Sequence, residues 1–345
     1  MDVGVLLSDF PKSWGPKRQF SELLRQVEAA QRNGFRYLCL GQHFLYGDYT
    51  CLQPIPTFAR LAAEVGPDVR LVTTILMSPV YHPVQLAEDL ATLDVLTEGR
   101  LIVGLGLGYR PEEFEYLGVP FGERVRRFEE GLDLMKQIWT RPSVTFAGEF
   151  WSLDAAEPHI ETWQDPYPPV WLGGHAAKAV RRAGRVGNGW IIPPAVEPAD
   201  LGPLLDLFRA EQVARGLAPS LQPLRRNVFL GADRADAMEQ FMRASARRYL
   251  HYARNGHEQW RVEDIERSFA EAVGAHVLAG SAADVLAEIR HLARTLPVNP
   301  LILRAGWPDM DPDWFVSYLD QLGTELVPGI AEIEPMDLSP AAATR

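Results

Sequence analysis

Short apolar runs alternate along the whole chain with stretches in which apolar positions recur every three or four residues. Runs at 3–7, 35–41, 69–76, 101–107, 169–174, 189–192, 226–231 and 299–306 have the length and β-branched content of buried strands. Between them, helical periodicity covers 21–34, closed by Gly34, and 54–66, with Pro54 in the first turn. A further helix shows a buried face at Leu86, Leu90 and Leu93 and ends before Gly99. In the next, Val125, Phe128, Leu132, Met135 and Trp139 are spaced 3, 4, 3 and 4 residues apart. Helical stretches at 176–187, 200–216, 236–250 and 314–326 complete the series. Eight strands in alternation with helices predict an α/β protein, a single (β/α)8 TIM barrel over residues 1–334.

Two segments break that rhythm and read as insertions, which on a barrel serve as lids or oligomer contacts. Residues 143–169 carry a hairpin about Ala147-Gly148 and then a proline-rich loop. Residues 251–280 carry another helix near 258–273 and the run AHVLAGS. The tail, 335–345, is expected to be disordered.

Composition narrows the function classes. A 345-residue chain with 47% hydrophobic and 23% charged residues fits a globular protein. Its net charge of −11 argues against nucleic-acid or anionic-membrane partners, and no apolar run is long enough to span a bilayer. The amino terminus lacks the basic region of a signal peptide, and Cys39 and Cys51 make no disulfide framework, so the expected location is the cytoplasm. HExxH, CxxC, GxSxG and Walker sequences are missing, and no metal site is predicted.

The candidate chemistry lies where strands end. In a barrel the carboxyl ends of the strands form the mouth in which catalytic groups sit, and His43, beside Gln42, follows the second strand directly. His82 precedes Pro83 and reads either as a helix cap or as a site residue. Gly104, Gly106 and Gly108 lack the GxGxxG spacing, because position 109 is a tyrosine, and they suit backbone approach to a flat ligand instead. Gly173 and Gly174 lead into a helix whose amino terminus suits a phosphate, although Gly-Gly is also an ordinary strand-to-helix turn. Arg304 ends the eighth strand, placed to hold an anion or to form a rim salt bridge. Trp14, Tyr109, Trp190 and Trp307 stand in or beside strand-end loops and suit a partly apolar substrate. Glu112 and Glu113 sit together in a loop and read as solvated.

Four segments in register carry a family likeness: GQHF after the second strand, HPVQLAEDLATLDVLTEGRLIVGLGLGYRPEEF, FGERVRRFEEGLDLMKQIW, and GGHAAKAVRRAGRVGNGWI. Together they resemble the bacterial luciferase-like flavin-dependent oxidoreductases, over nearly the whole chain. The resemblance implies a flavin or deazaflavin at the barrel mouth and a non-prolyl cis peptide that maps to Thr74-Ile75, supporting the ring system from one face. By the same mapping, His43 stands near the reactive edge of the ring and is the candidate catalytic residue. Gly106 and Gly108 line the pocket, and Gly173, Gly174 and His175 meet the cofactor phosphate through backbone N–H groups. Gln42, Tyr109, Trp14, Trp190, Arg304 and Trp307 remain candidates for the substrate side.

Two chemistries fit such a pocket. In the first, reduced FMN, supplied by a separate flavin reductase, and O2 oxygenate a small organic substrate; this monooxygenase reading is the favoured one. In the second, F420 transfers hydride and His43 serves as acid or base. A non-catalytic flavin-binding relative is a third reading, against which the strand-end polar groups speak. Family habit implies a homodimer.

Overall fold

The computed structural model describes residues 1–7, 9–257 and 260–338. Nine strands run parallel: β1 (Val3–Leu6), β2 (Tyr37–Leu40), β3 (Arg70–Thr73), β4 (Leu101–Gly106), β5 (Val170–Gly173), β6 (Gly189–Ile191), β7 (Gln222–Leu230), β8 (Val277–Gly280) and β9 (Val298–Arg304). Their order is β6-β5-β4-β3-β2-β1-β9-β7-β8. Just past β6, Ile192 donates its N–H to Pro223 O and accepts from Arg225 N, which joins β6 to β7 and closes the barrel. The eight strands read from the sequence are the ones in this ring.

Strand alternation divides the apolar side chains between two layers. Val5, Leu38, Leu71 and Val103 face outward into the main core under the helices. Leu6, Cys39, Val72, Ile102, Ile191 and Ile302 form a second cluster inside the barrel. Leu6, Cys39, Val72 and Ile102 succeed one another as register partners across β1 to β4. A filled interior of this kind blocks the barrel below and leaves only the mouth for a ligand.

The helices follow the predicted order with some shifts. The first helix starts at Pro16 rather than near Ser21, because a proline at N1 is already set for the helix. The segment 143–169 does hold a hairpin, Val144–Ala147 against Ser152–Ala156. The segment 251–280 differs from expectation. The helix Arg234–Arg254 runs into it, and helices Val262–Arg267 and Phe269–Val273 follow. The run AHVLAGS supplies β8, paired with the C-terminal half of β7, and Ser281 then caps the helix Ala282–Thr295 through a capping box with Asp284. That helix was hidden in the sequence behind the supposed insertion. Most of the expected tail, 339–345, lies outside the described residues. Among the described residues no helix is long and apolar enough to cross a membrane.

Candidate active site

A cavity of about 400 Å³ opens at the carboxyl ends of the strands. One wall is built by glycine. The peptide Thr74-Ile75 is cis, and it carries the Ile75 side chain across the ends of β4 and β5. A Cβ on Gly106 would sit 1.7 Å from Ile75 Cδ1, and one on Gly173 would lie 3.4 Å from Ile75 Cγ2. A side chain at position 106 would displace Ile75, whereas one at 173 would only touch it, so Gly106 keeps Ile75 in place as a flat apolar platform. Gly108 turns the chain away with φ +78°, where a Cβ would meet Met77 and Phe114 at 2.9 Å.

Beyond this wall, Gly173, Gly174 and His175 lead into the helix Ala177–Val186. Gly174 has φ +146°, and a Cβ there would lie 2.5 Å from Ala179 Cβ. The N-cap, Ala176, offers no side-chain acceptor; its carbonyl takes the N–H of Ala179 at 2.8 Å, and the N–H groups of Ala177 and Lys178 stand ahead of it at the positive end of the helix dipole. An apolar platform beside an uncapped helix amino terminus fits a flavin-type ring with a phosphate. Ile75 and Gly173 would carry the ring, with Gly106, expected to line the pocket, standing behind Ile75 instead, and the backbone of 173–176 would hold the phosphate.

His43 lines the opposite side with its side chain 16% exposed. Its ring stacks on Tyr46 at 3.8 Å between centroids and meets Tyr109 edge-on. Nδ1 donates to Glu113 Oε1 at 3.1 Å, and the same oxygen accepts from Phe44 N at 2.8 Å. Burial pushes the His43 pKa below the ordinary imidazole value, against the opposing pull of Glu113. The ring is therefore neutral at pH 7, in the tautomer whose proton sits on Nδ1, where the Glu113 carboxylate accepts it. Nε2 has no hydrogen-bond partner among the described residues and is available to a reacting proton.

Glu113 corrects the expectation of a solvated loop acid. It lies in the short helix Pro111–Tyr116, whose Glu113 and Phe114 turn inward while Glu112 and Glu115 turn out. Its side chain is fully buried, with Arg110 NH1 at 3.4 Å as its cationic neighbour. Six residues are too few for periodicity to assign a face.

A cluster of cations and phenols, of which the sequence pointed to Arg304 alone, completes the cavity. Arg248 pairs with Asp9, and its guanidinium lies within 4.8 Å of the ring centres of Tyr46, Tyr49 and Tyr252. Burial would raise the Asp9 pKa, but Arg248 and Arg304 outweigh it and hold the carboxyl below its usual range. Arg304 NH1 donates to Tyr252 OH at 2.8 Å. Arg225 lines the same space from β7.

The remaining predicted residues divide. Tyr109 and Arg304 line the cavity. Gln42 also lines it, but Nε2 donates to Gln53 and Tyr81 and Oε1 accepts from Met77 N at 2.9 Å, so its polar atoms brace the loop. Trp190 is wholly buried, its indole donating to Gly174 O at 2.7 Å, which braces the glycine turn from behind. Trp307 packs in a separate buried cluster with Phe229 and Phe241, and Trp14 packs on Phe10 under Arg18. None of these three tryptophans lines the cavity. His82 caps the helix Pro83–Leu96, accepting from Val84 N. Among the described residues no group of three His, Cys, Asp or Glu is placed to hold a metal.

Comparison with known proteins places this arrangement. The model of the luciferase-like monooxygenase family matches residues 1–298. The chain belongs to that family. Monooxygenase RslO1 from Streptomyces bottropensis is 27% identical and superposes with a TM-score of 0.80 over 95% of this chain and 99% of its own. The oxygenating constituent of 3,6-diketocamphane monooxygenase from Pseudomonas putida, solved with FMN, is 19% identical with a TM-score of 0.80 over 98% of this chain and all of its own, and that likeness concerns the fold. The F420-dependent hydroxymycolic acid dehydrogenase of Mycobacterium tuberculosis is 29% identical over 68% of this chain and 64% of its own length. The matched part of this luciferase-like chain spans about half the length of other curated relatives, 48% and 50% in two cases. Among the proteins it resembles, the camphane enzyme was solved with FMN and the mycobacterial dehydrogenase depends on F420.

Proposed function

We propose that the chain binds reduced FMN against the Ile75 platform and, with O2, oxygenates a small organic substrate. The observation that carries this reading is the meeting, in one cavity, of the glycine-backed platform and the His43–Glu113 pair. Bound reduced FMN would supply the electrons that activate oxygen. The chain's own part is to orient the substrate, to exclude water with its apolar walls, and to exchange a proton at His43 Nε2, with Glu113 fixing the ring. The match to RslO1 over nearly the full length favours the oxygenase branch. In this reading a separate reductase supplies the flavin and the protein works as a homodimer.

A second reading, hydride transfer with F420, draws on the mycobacterial dehydrogenase at 29% identity. The two separate in one experiment: fluorescence titration with FMN and with F420, then substrate-dependent oxygen consumption in the presence of a flavin reductase. Binding of FMN with oxygen consumption supports the oxygenase. Preference for F420 replaces it with the dehydrogenase, and binding of neither overturns both.

A further inference from the structure

The barrel interior is aliphatic except on one side. Arg225 stands in β7 opposite Ile302, a member of the interior apolar cluster, and two residues on Asn227 pairs in register with Arg304. Both arginine side chains face the cavity, and Arg248 joins them from the long helix. Asp9 neutralises Arg248, its ion-pair partner. Among the described residues Arg304 bonds to neutral oxygens, Tyr252 OH and Gly306 O. The Arg225 guanidinium has neither hydrogen bond nor ion pair among the described residues. Three cations against one carboxylate leave about two uncompensated positive charges beside the cavity. Their field acts on a neighbour: although burial would raise the Tyr252 phenol pKa, Arg248 and Arg304 draw it below its ordinary value.

A half-buried cation that faces a cavity without a partner is costly to keep, and an arginine kept only for packing is replaceable by an apolar residue. An open, planar guanidinium is suited to a planar oxygen pair. We propose that the substrate carries a carboxylate, received at the Arg225 and Arg304 side of the barrel. This rests on the reading of the cavity as the active site. The position argues for a substrate group rather than the cofactor phosphate. Arg225 occupies an interior position on β7, two strands round the ring from β5, at whose end the uncapped helix amino terminus lies, and Arg304 ends β9, one strand further on. The chain's net charge of −11 makes a local excess of positive charge the more specific.

The test uses the full chain and two probes of the same shape, benzoate and benzamide, followed by tryptophan fluorescence and melting temperature at low ionic strength. Benzoate should bind at least roughly tenfold more tightly than benzamide, the effect of one charged hydrogen bond. Arg225→Met should abolish that preference and Arg225→Lys should keep part of it, while affinities for FMN and F420 stay within about twofold. Without ligand, Arg225→Met should melt higher than the parent by a few degrees. Equal binding of the two probes, or binding of neither, overturns the proposal without needing any variant. A tenfold loss of FMN or F420 affinity in Arg225→Met also overturns it, by assigning the cation to the cofactor. A benzoate preference in a protein that binds neither FMN nor F420 would uphold the carboxylate site and sink the oxidoreductase reading instead.

Discussion

Glu113 Oε1 receives both the Nδ1 proton of His43 and the backbone N–H of Phe44, so one buried carboxylate fixes the imidazole and the loop that carries it. Removing its charge removes the one interaction that works strongly against burial at His43. Glu113→Gln should therefore shift the His43 titration, followed by NMR, to lower pH than in the parent. Glu113→Leu also strips Arg110 of its ion-pair partner, which should cost on the order of 3–5 kcal/mol in a denaturant melt. An unmoved imidazole titration in the glutamine variant would show that Glu113 does not tune the ring.

His43 itself should be separable from cofactor binding. Its open nitrogen faces the cavity, while the proposed cradle lies at Ile75 and 173–176. His43→Ala should cut turnover by about 10²-fold or more and leave FMN or F420 affinity nearly unchanged. Unchanged turnover would make the histidine structural, a partner for Glu113 and for the Tyr46 and Tyr109 rings.

The glycine wall makes the complementary prediction. An alanine at position 106 brings its Cβ to 1.7 Å from Ile75 Cδ1, so the platform must move. Gly106→Ala should lose about 1–3 kcal/mol of stability through overpacking and bind the cofactor at least roughly tenfold more weakly. Gly202 is the control. It sits in the helix Leu201–Ala214, and a Cβ there would have nothing within 4 Å. Gly202→Ala should be neutral or more stable by about 0.5–1 kcal/mol, with cofactor affinity unchanged.

These residues differ in how visible they were beforehand. The eight ring strands announced themselves because each is a nearly continuous apolar run between turn residues, and Ile75, Gly106 and Gly174 stood at their ends. Glu113 was hidden because orientation in a six-residue helix is decided by what it packs on, here Phe114 in the core. Arg225 and Arg226 are neighbours, so alternation alone could not say which points into the barrel; the register with Ile302 decides it. Asp9 and Arg248 lie 239 residues apart, and only the closed barrel brings them together. Trp190 and Trp307 were read as rim aromatics because strand ends favour the mouth. Indole N–H groups are as readily satisfied from behind a turn, which is where Trp190 bonds.

The histidines around the mouth set the pH dependence of folding. Burial lowers the pKa of both His251 and His257 from 6.5 to about 4, helped at His251 by Arg248 and Arg110 and at His257 by His175 and His43. Above pH 6.5 each is neutral both folded and unfolded and contributes no slope. Between 6.5 and about 4 the unfolded chain binds protons that the folded chain refuses, so stability must fall as pH falls through that window. His43, lowered in the same direction, adds to it. Asp9 works elsewhere: its depressed pKa gives stability that is lost only below the ordinary aspartate value of 3.8. Lys136, its pKa lowered by burial to about 8, adds a slope of its own only above that range. Melting temperature should thus be level between about pH 6.5 and 8 and decline from pH 6.5 to 4, with a shallower decline in His257→Gln. A melt that is level across that window would show that these imidazoles accept protons in place, and that the mouth is wetter than its packing indicates.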